Sequence, residues 1–149
     1  MADFEHTITI NAPHEKVWDS WDRFGDIARF NKGLRASALP EGSPATGTGA
    51  RRRCDLKDGK SCLMEEIASY KPQERMEIVV FDPNLPVKSV RLMLSFTAPT
   101  ARTTGIDPTA NFTMKYGPIG KLLKLVARKE VPGDITRLLQ SDKVFSEAV

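Results

Sequence analysis

Cysteine and histidine are scarce in this chain, with two of each among 149 residues. Cys54 and Cys62 are too few for a disulfide scaffold. His6 and His14 have no CxxC or HxxxH companion, and a closed zinc site needs about four soft or nitrogen ligands. No Ser/His/Asp set and no phosphate-binding glycine loop is present either, so no metal and no cofactor is expected. Charge of one sign is also lacking: 22 basic residues against 19 acidic ones leave a net +3. Nucleic-acid modules concentrate far more positive charge, so no nucleic-acid partner is expected. No apolar run approaches the roughly 20 residues that span a bilayer, which argues against stable membrane insertion. The N-terminus carries Asp3 and Glu5 and no apolar leader core, so cytoplasmic residence is the default expectation. What remains is ordinary globular stock, 40% hydrophobic and 28% charged. That length suits one domain over residues 1–149 with a real core, as monomer or homodimer.

Phe4, His6, Ile8 and Ile10 alternate with polar neighbours, the period of a strand with one buried face. Ala12-Pro13 stops it, and proline suits a first helical position because its missing N–H would be unpaired there. Val17, Trp18, Trp21 and Phe24 follow at helical spacing, predicting a helix over 13–24 that Gly25 ends. Asp26 is placed to cap a second short helix carrying Ile27 and Phe30.

From about Leu34 to Tyr116 the signals are strands and turns. Residues 40–49 read as a loop by composition. Asp58-Gly59 marks a two-residue hairpin turn between strands near 50–57 and 60–70. Met76, Ile78 and Val80 alternate in the next strand, and Val90, Leu92, Leu94 and Phe96 in the one after it. Pro99 and Pro108 bracket a less regular stretch, and Phe112, Met114 and Tyr116 make a last strand. Gly117-Pro118 then opens a helix with an apolar stripe of Ile119, Leu122, Leu123 and Val126. Ile135, Leu138, Leu139 and Phe145 continue the stripe past an expected kink at Pro132-Gly133. Short turns between consecutive strands imply an antiparallel meander. Its apolar face must be covered, and only the final helix is long enough to do so.

The opening ITINAPHEKVWDSWDRFGDIARFN and the closing MKYGPIGKLLKLV resemble the ends of the polyketide cyclase/dehydrase group. That group lies in the START-like, birch-pollen-allergen-like (SRPBCC) superfamily, and GARRRCDL and EEIASYKPQERM fall where it places middle strands. The resemblance implies an α+β helix-grip fold: a curved antiparallel β-sheet wrapped around a long C-terminal α-helix, with two short helices after the first strand. FNKGL stands where many relatives carry tryptophan, and Pro132-Gly133 interrupts a helix they usually keep intact. Because the superfold hosts many functions, it implies a kind of ligand rather than a reaction.

A two-residue Asp58-Gly59 turn sets Arg52 opposite Glu65 and Cys54 opposite Leu63. Arg52, Cys54, Leu56, Leu63, Glu65 and Ile67 then share the more apolar face, which is assigned to the pocket side. A one-residue slip would exchange the faces. With Leu92, Leu94, Leu122 and Val126 these form the candidate ligand-binding set. Arg52 and Glu65 read either as an ordinary cross-strand charge pair or as a polar anchor in an apolar cavity. Glu65 and Glu66 point to opposite faces and cannot share a proton. Arg51, Arg52 and Arg53 split likewise. Trp18, Trp21 and Phe24 read as helix anchors or as the pocket mouth, and Lys121, Lys124 and Arg128 as a solvated helix face. His6 lacks a second titratable partner for catalysis.

The expected function is binding of a small hydrophobic molecule, lipid-, polyketide- or aromatic-like, as carrier or sensor. The alternatives are a cofactor-independent polyketide cyclase/dehydrase, which the resemblance suggests, and a protein-interaction module of co-chaperone type.

Overall fold

The computed structural model describes residues 4–5, 7–57, 59–60, 62–81, 87–114 and 135–148, without the side chains of 4, 5, 81, 87–89 and 112–114. Strands β1 (Phe4–Glu5) and β2 (Ile8–Ile10) are followed by helix α1 (His14–Asp22) and a 3-10 segment over Phe24–Arg29. Then come β3 (Leu34–Ala38), β4 (Arg51–Leu56), β5 (Cys62–Lys71), β6 (Arg75–Phe81), β7 (Val87–Thr100) and β8 (Thr103–Met114). Residues 135–147 are helical and are labelled α2. All strand pairs are antiparallel in one sheet of order β1-β8-β7-β6-β5-β4-β3, with β2 also on β8.

The helix after the first strand forms where expected, and Val17, Trp18 and Trp21 bury its apolar face. It ends earlier than expected, at Asp22, because Arg23 leaves helical geometry with ψ 68. The following helix is of 3-10 type and starts at Phe24, so Asp26 lies inside it and does not cap it.

The β4–β5 register agrees with expectation: Arg52 faces Glu65 and Cys54 faces Leu63. The turn itself closes one residue early, with Gly59 N–H donating to the Leu56 carbonyl. Gly59 sits at φ +73, a conformation that costs glycine little. Two- and four-residue loops leave the same residues opposite one another, so the faces are not exchanged.

The stretch between Pro99 and Pro108 is more regular than its prolines suggest. β7 and β8 form one long hairpin that turns at residues 101–102. Pro108 pairs with Leu94 on one side. Bulges fall between Leu34 and Ala36 and between Ile67 and Ser69, and such extra residues bend a strand and increase its twist.

The solid core lies under α1. Trp18 meets Phe96 edge-on at 5.0 Å, and Trp21 meets Phe30 at 5.4 Å. Ile67, Met76, Leu94 and Ile106 are fully buried with them. Ile135 and Leu139 bring α2 into the same cluster, with Leu138 and Phe145 packed at its edge. Residues 119–134, including Leu122, Val126, the Lys121/Lys124/Arg128 stripe and Pro132-Gly133, lie outside the described residues, as do His6 and Tyr116. No helix among the described residues is long and apolar enough to cross a membrane.

Candidate functional site

The strand register lays one row of side chains across four strands. Arg52 of β4 faces Glu65 of β5, which faces Val80 of β6, which faces Val90 of β7. All four line a cavity of about 920 Å³ between the sheet and α2. Leu56, Leu63, Ile78 and Leu92 extend this floor, and Trp21 and Leu34 close it on the α1 side. From α2, Ile135, Leu138 and Val144 face it. Exposed Lys32, Gly33, Arg137 and Gln140 also belong to the lining and mark where the cavity meets solvent.

Five residues expected on the pocket side therefore line the cavity: Arg52, Leu56, Leu63, Glu65 and Leu92. Cys54, Ile67 and Leu94 share the inner face but are buried in the solid core and are not on the cavity wall. The reason for Ile67 and Leu94 is that α1 and its aromatic side chains cover that half of the sheet. Leu122 and Val126 lie outside the described residues. Ile78, Val80 and Val90 were not among the residues expected there; the β6–β7 register sets Ile78 opposite Leu92 and Val80 opposite Val90. Trp21 takes both roles weighed for it, anchoring α1 and forming cavity wall.

The polar feature of the wall is the Arg52–Glu65 pair. The Arg52 side chain is 2% exposed and that of Glu65 12%. Arg52 Nε donates to Glu65 Oε2 at 2.6 Å, and Nη2 contacts the same oxygen. Nη1 donates to the Phe24 carbonyl at 3.0 Å, and the guanidinium carbon lies 3.9 Å from the centroid of the Phe24 ring. The pair is thus both a cross-strand ion pair and a buried polar group on the cavity wall. Its positive charge is already met by Glu65, which weakens the case for Arg52 as an anchor for a ligand carboxylate. By contrast, Arg51–Glu66 and Arg53–Asp55 are outer-face pairs at 3.1 Å, with both arginines exposed.

Both thiols are free. Burial pushes the Cys54 thiol up to about 12, with the Glu65 carboxylate adding to the effect. A thiol held neutral is a poor nucleophile, so Cys54 offers no covalent chemistry at neutral pH.

A second buried polar cluster was not anticipated. Asp142 of α2 is fully buried. It accepts hydrogen bonds from Trp21 Nε1 at 2.8 Å and Ser146 Oγ at 2.9 Å, and its Oδ1 lies 3.0 Å from Ser20 Oγ. The signal was available: Asp142 follows Leu138 by four positions and Leu139 by three, on the apolar stripe itself.

An antiparallel sheet gripping a C-terminal helix, with short helices after the first strand and an apolar-walled cavity beneath, defines a helix-grip fold. The chain belongs to the family described as "Polyketide cyclase / dehydrase and lipid transport", whose profile matches residues 1–143. Solved structures show the same fold. A START superfamily protein from Mycobacterium smegmatis superimposes with TM-score 0.76 at 11% identity, over 97% of this chain and 96% of that one. A Bacillus cereus protein, XoxI, gives 0.78 at 16%, over 99% and 97%. The Zhui aromatase/cyclase of a Streptomyces strain gives 0.69 at 14%, over 94% and 92%. A sequence comparison with curated proteins returns no match.

Proposed function

We propose that this protein carries or senses a small apolar molecule held in the cavity between the sheet and α2. The observation that carries the reading is the cavity itself. Its volume of about 920 Å³ falls in the range of small-molecule sites. Its wall is mostly aliphatic and aromatic with a few polar groups, the usual composition of a site that buries most of its ligand. The one buried charged pair in the described wall is internally neutralised, which favours a ligand whose buried part is uncharged. A lipid-, polyketide- or aromatic-like molecule meets these terms, and the reading requires no cofactor.

A second reading, a cofactor-independent cyclase or dehydrase, is favoured by the Arg52–Glu65 pair on the wall together with the family description. Such an enzyme would fold a reactive chain against the apolar floor and polarise a carbonyl with a remaining guanidinium N–H. Nothing in the wall specifically supports an interaction module of co-chaperone type, which would more naturally have a filled core.

Native mass spectrometry of the purified protein tests the carrier reading. A co-purified small molecule, lost on denaturation, is the expected result. Persistent absence of any adduct, together with failure to take up an apolar probe, would refute it. Turnover of a poly-β-carbonyl substrate that disappears in Arg52→Met would favour the cyclase instead.

A further inference from the structure

The Asp142 cluster has one acceptor contact too many for its protons. Ser20 Oγ lies 2.7 Å from the Val17 carbonyl and 3.0 Å from Asp142 Oδ1. A serine hydroxyl owns a single hydrogen, so it donates to one of these oxygens and not to both. The shorter contact, to Val17, is the better place for it. That leaves two oxygens 3.0 Å apart, Ser20 Oγ and Asp142 Oδ1, with no hydrogen between them unless Asp142 supplies one. A protonated Oδ1 completes the chain: Asp142 donates to Ser20, and Ser20 donates to Val17. The remaining contacts suit that form, because Trp21 Nε1–H donates to Oδ2 and Ser146 Oγ–H donates to Oδ1.

The electrostatic surroundings agree. Among the described residues no charged side chain is bonded to Asp142. On α1, Asp19 pairs with Arg23, and Lys16 Nζ reaches the Ala148 carbonyl. On α2, Lys143 Nζ reaches the Thr9 carbonyl of β2 and the Glu147 carboxylate. Glu147 in turn accepts from the Asn11 N–H, and the Arg29 guanidinium lies over the Phe145 ring. Burial is the largest influence on the Asp142 carboxyl and holds it above the ordinary range.

We propose that Asp142 carries a proton in the native protein and is a proton-dependent latch that holds α2 closed over the cavity. Its placement gives the latch its reach. Asp142 joins α2, which supplies Ile135, Leu138 and Val144 to the cavity wall, to Trp21 of α1, which supplies another part of that wall. Ionisation removes the bridging hydrogen and places an unpaired charge at the junction of the two helices. Leaving a charge buried without a partner is costly. The sign follows: the native state binds a proton that the unfolded chain has released, so closure is strongest at low pH. It weakens as pH climbs from the ordinary carboxylate range through the native pKa of Asp142. The latch acts on the helix whatever occupies the cavity.

Two measurements on the full chain test it. The first is a carbon-13 titration of the Asp142 Cγ resonance, assigned by its loss in Asp142→Asn. The second is amide hydrogen exchange of residues 135–147, corrected for intrinsic rates, across the same pH range. Titration above the ordinary carboxylate range is expected. The open population of α2 should rise by roughly fivefold or more across it, the low end of usual coupling. Exchange in Asp142→Asn should stay flat, since an amide neither gains nor loses charge. Ordinary or depressed titration overturns the proposal. So does an α2 opening that is independent of pH, or one that keeps its pH step in Asp142→Asn. Should that variant fail to fold, Ser20→Ala decides. Loss of the acceptor for the Asp142 proton should lower the Asp142 pKa. A rise or no change would mean that Ser20 donates to a carboxylate, and the latch fails.

Discussion

Arg52→Met would separate the structural from the ligand-directed role of the Arg52–Glu65 pair. In the folded protein it strips the Glu65 carboxylate of two guanidinium contacts and the Phe24 carbonyl of one. It also removes the cation from the face of the Phe24 ring. Glu65 keeps little access to water, with its side chain 12% exposed. Removing one member of a buried pair typically costs about 3–5 kcal/mol, much of it from the stranded charge. Contact with the cavity gives Glu65 some hydration, so the lower end, about 3 kcal/mol, is expected. Replacing both partners, Arg52→Met with Glu65→Leu, should recover most of that loss, because no charge is left unpaired. Urea denaturation of the two single variants and the double variant closes the cycle. Single losses below about 1 kcal/mol would refute the buried pair, since that is the range of solvated surface pairs. In the same proteins, the double variant should retain affinity for an apolar neutral probe. Its loss without unfolding would mean that the pair grips the ligand.

Three further outcomes follow from the packing. Leu139→Ala on α2, where the leucine is 1% exposed, should cost about 2–5 kcal/mol in chemical denaturation. Val144→Ala, at 61% exposure, should cost less than about 0.5 kcal/mol, and equal losses would mean that α2 does not present the face described. Native-state alkylation should modify Cys62, which is partly exposed, and spare Cys54, whose thiol is buried and pushed up to about 12. Mass mapping that finds Cys54 modified first would contradict this. Gln73 holds φ 67 in the Pro72-Gln73 turn, so Gln73→Gly should gain about 0.5 kcal/mol by relieving left-handed strain. A clear loss in thermal unfolding would refute that reading.

Much of this was legible in the sequence because it rests on periodicity. The period of two in β4, β5 and β7 gave the inner face. The Asp58-Gly59 turn gave the pairing of Arg52 with Glu65, even though the turn closes one residue early. The helical spacing of Val17, Trp18 and Trp21 gave the buried face of α1. What periodicity does not reveal is which element lies above a face. Cys54, Ile67 and Leu94 carry the same inward signal as Leu56, Leu63 and Leu92. Only the first three lie where no cavity is left beside them. The prolines of β7 and β8 misled for a different reason. A proline is tolerated inside a sheet where no ladder bond is asked of it, and Pro108 keeps its place opposite Leu94 in the β7–β8 pairing. Asp142 escaped notice because a lone polar residue on an apolar stripe becomes intelligible only with its partners from α1 in view.

The central claim is that the space between the sheet and α2 binds an apolar molecule. Fluorescence titration with the neutral probe N-phenyl-1-naphthylamine tests it most directly, comparing wild type with Leu92→Trp, whose larger side chain projects from the cavity floor. Wild type should bind saturably at micromolar concentration, and Leu92→Trp should not bind while keeping a wild-type circular dichroism spectrum. No saturable binding by the wild type, or equal binding by the folded variant, would contradict the account.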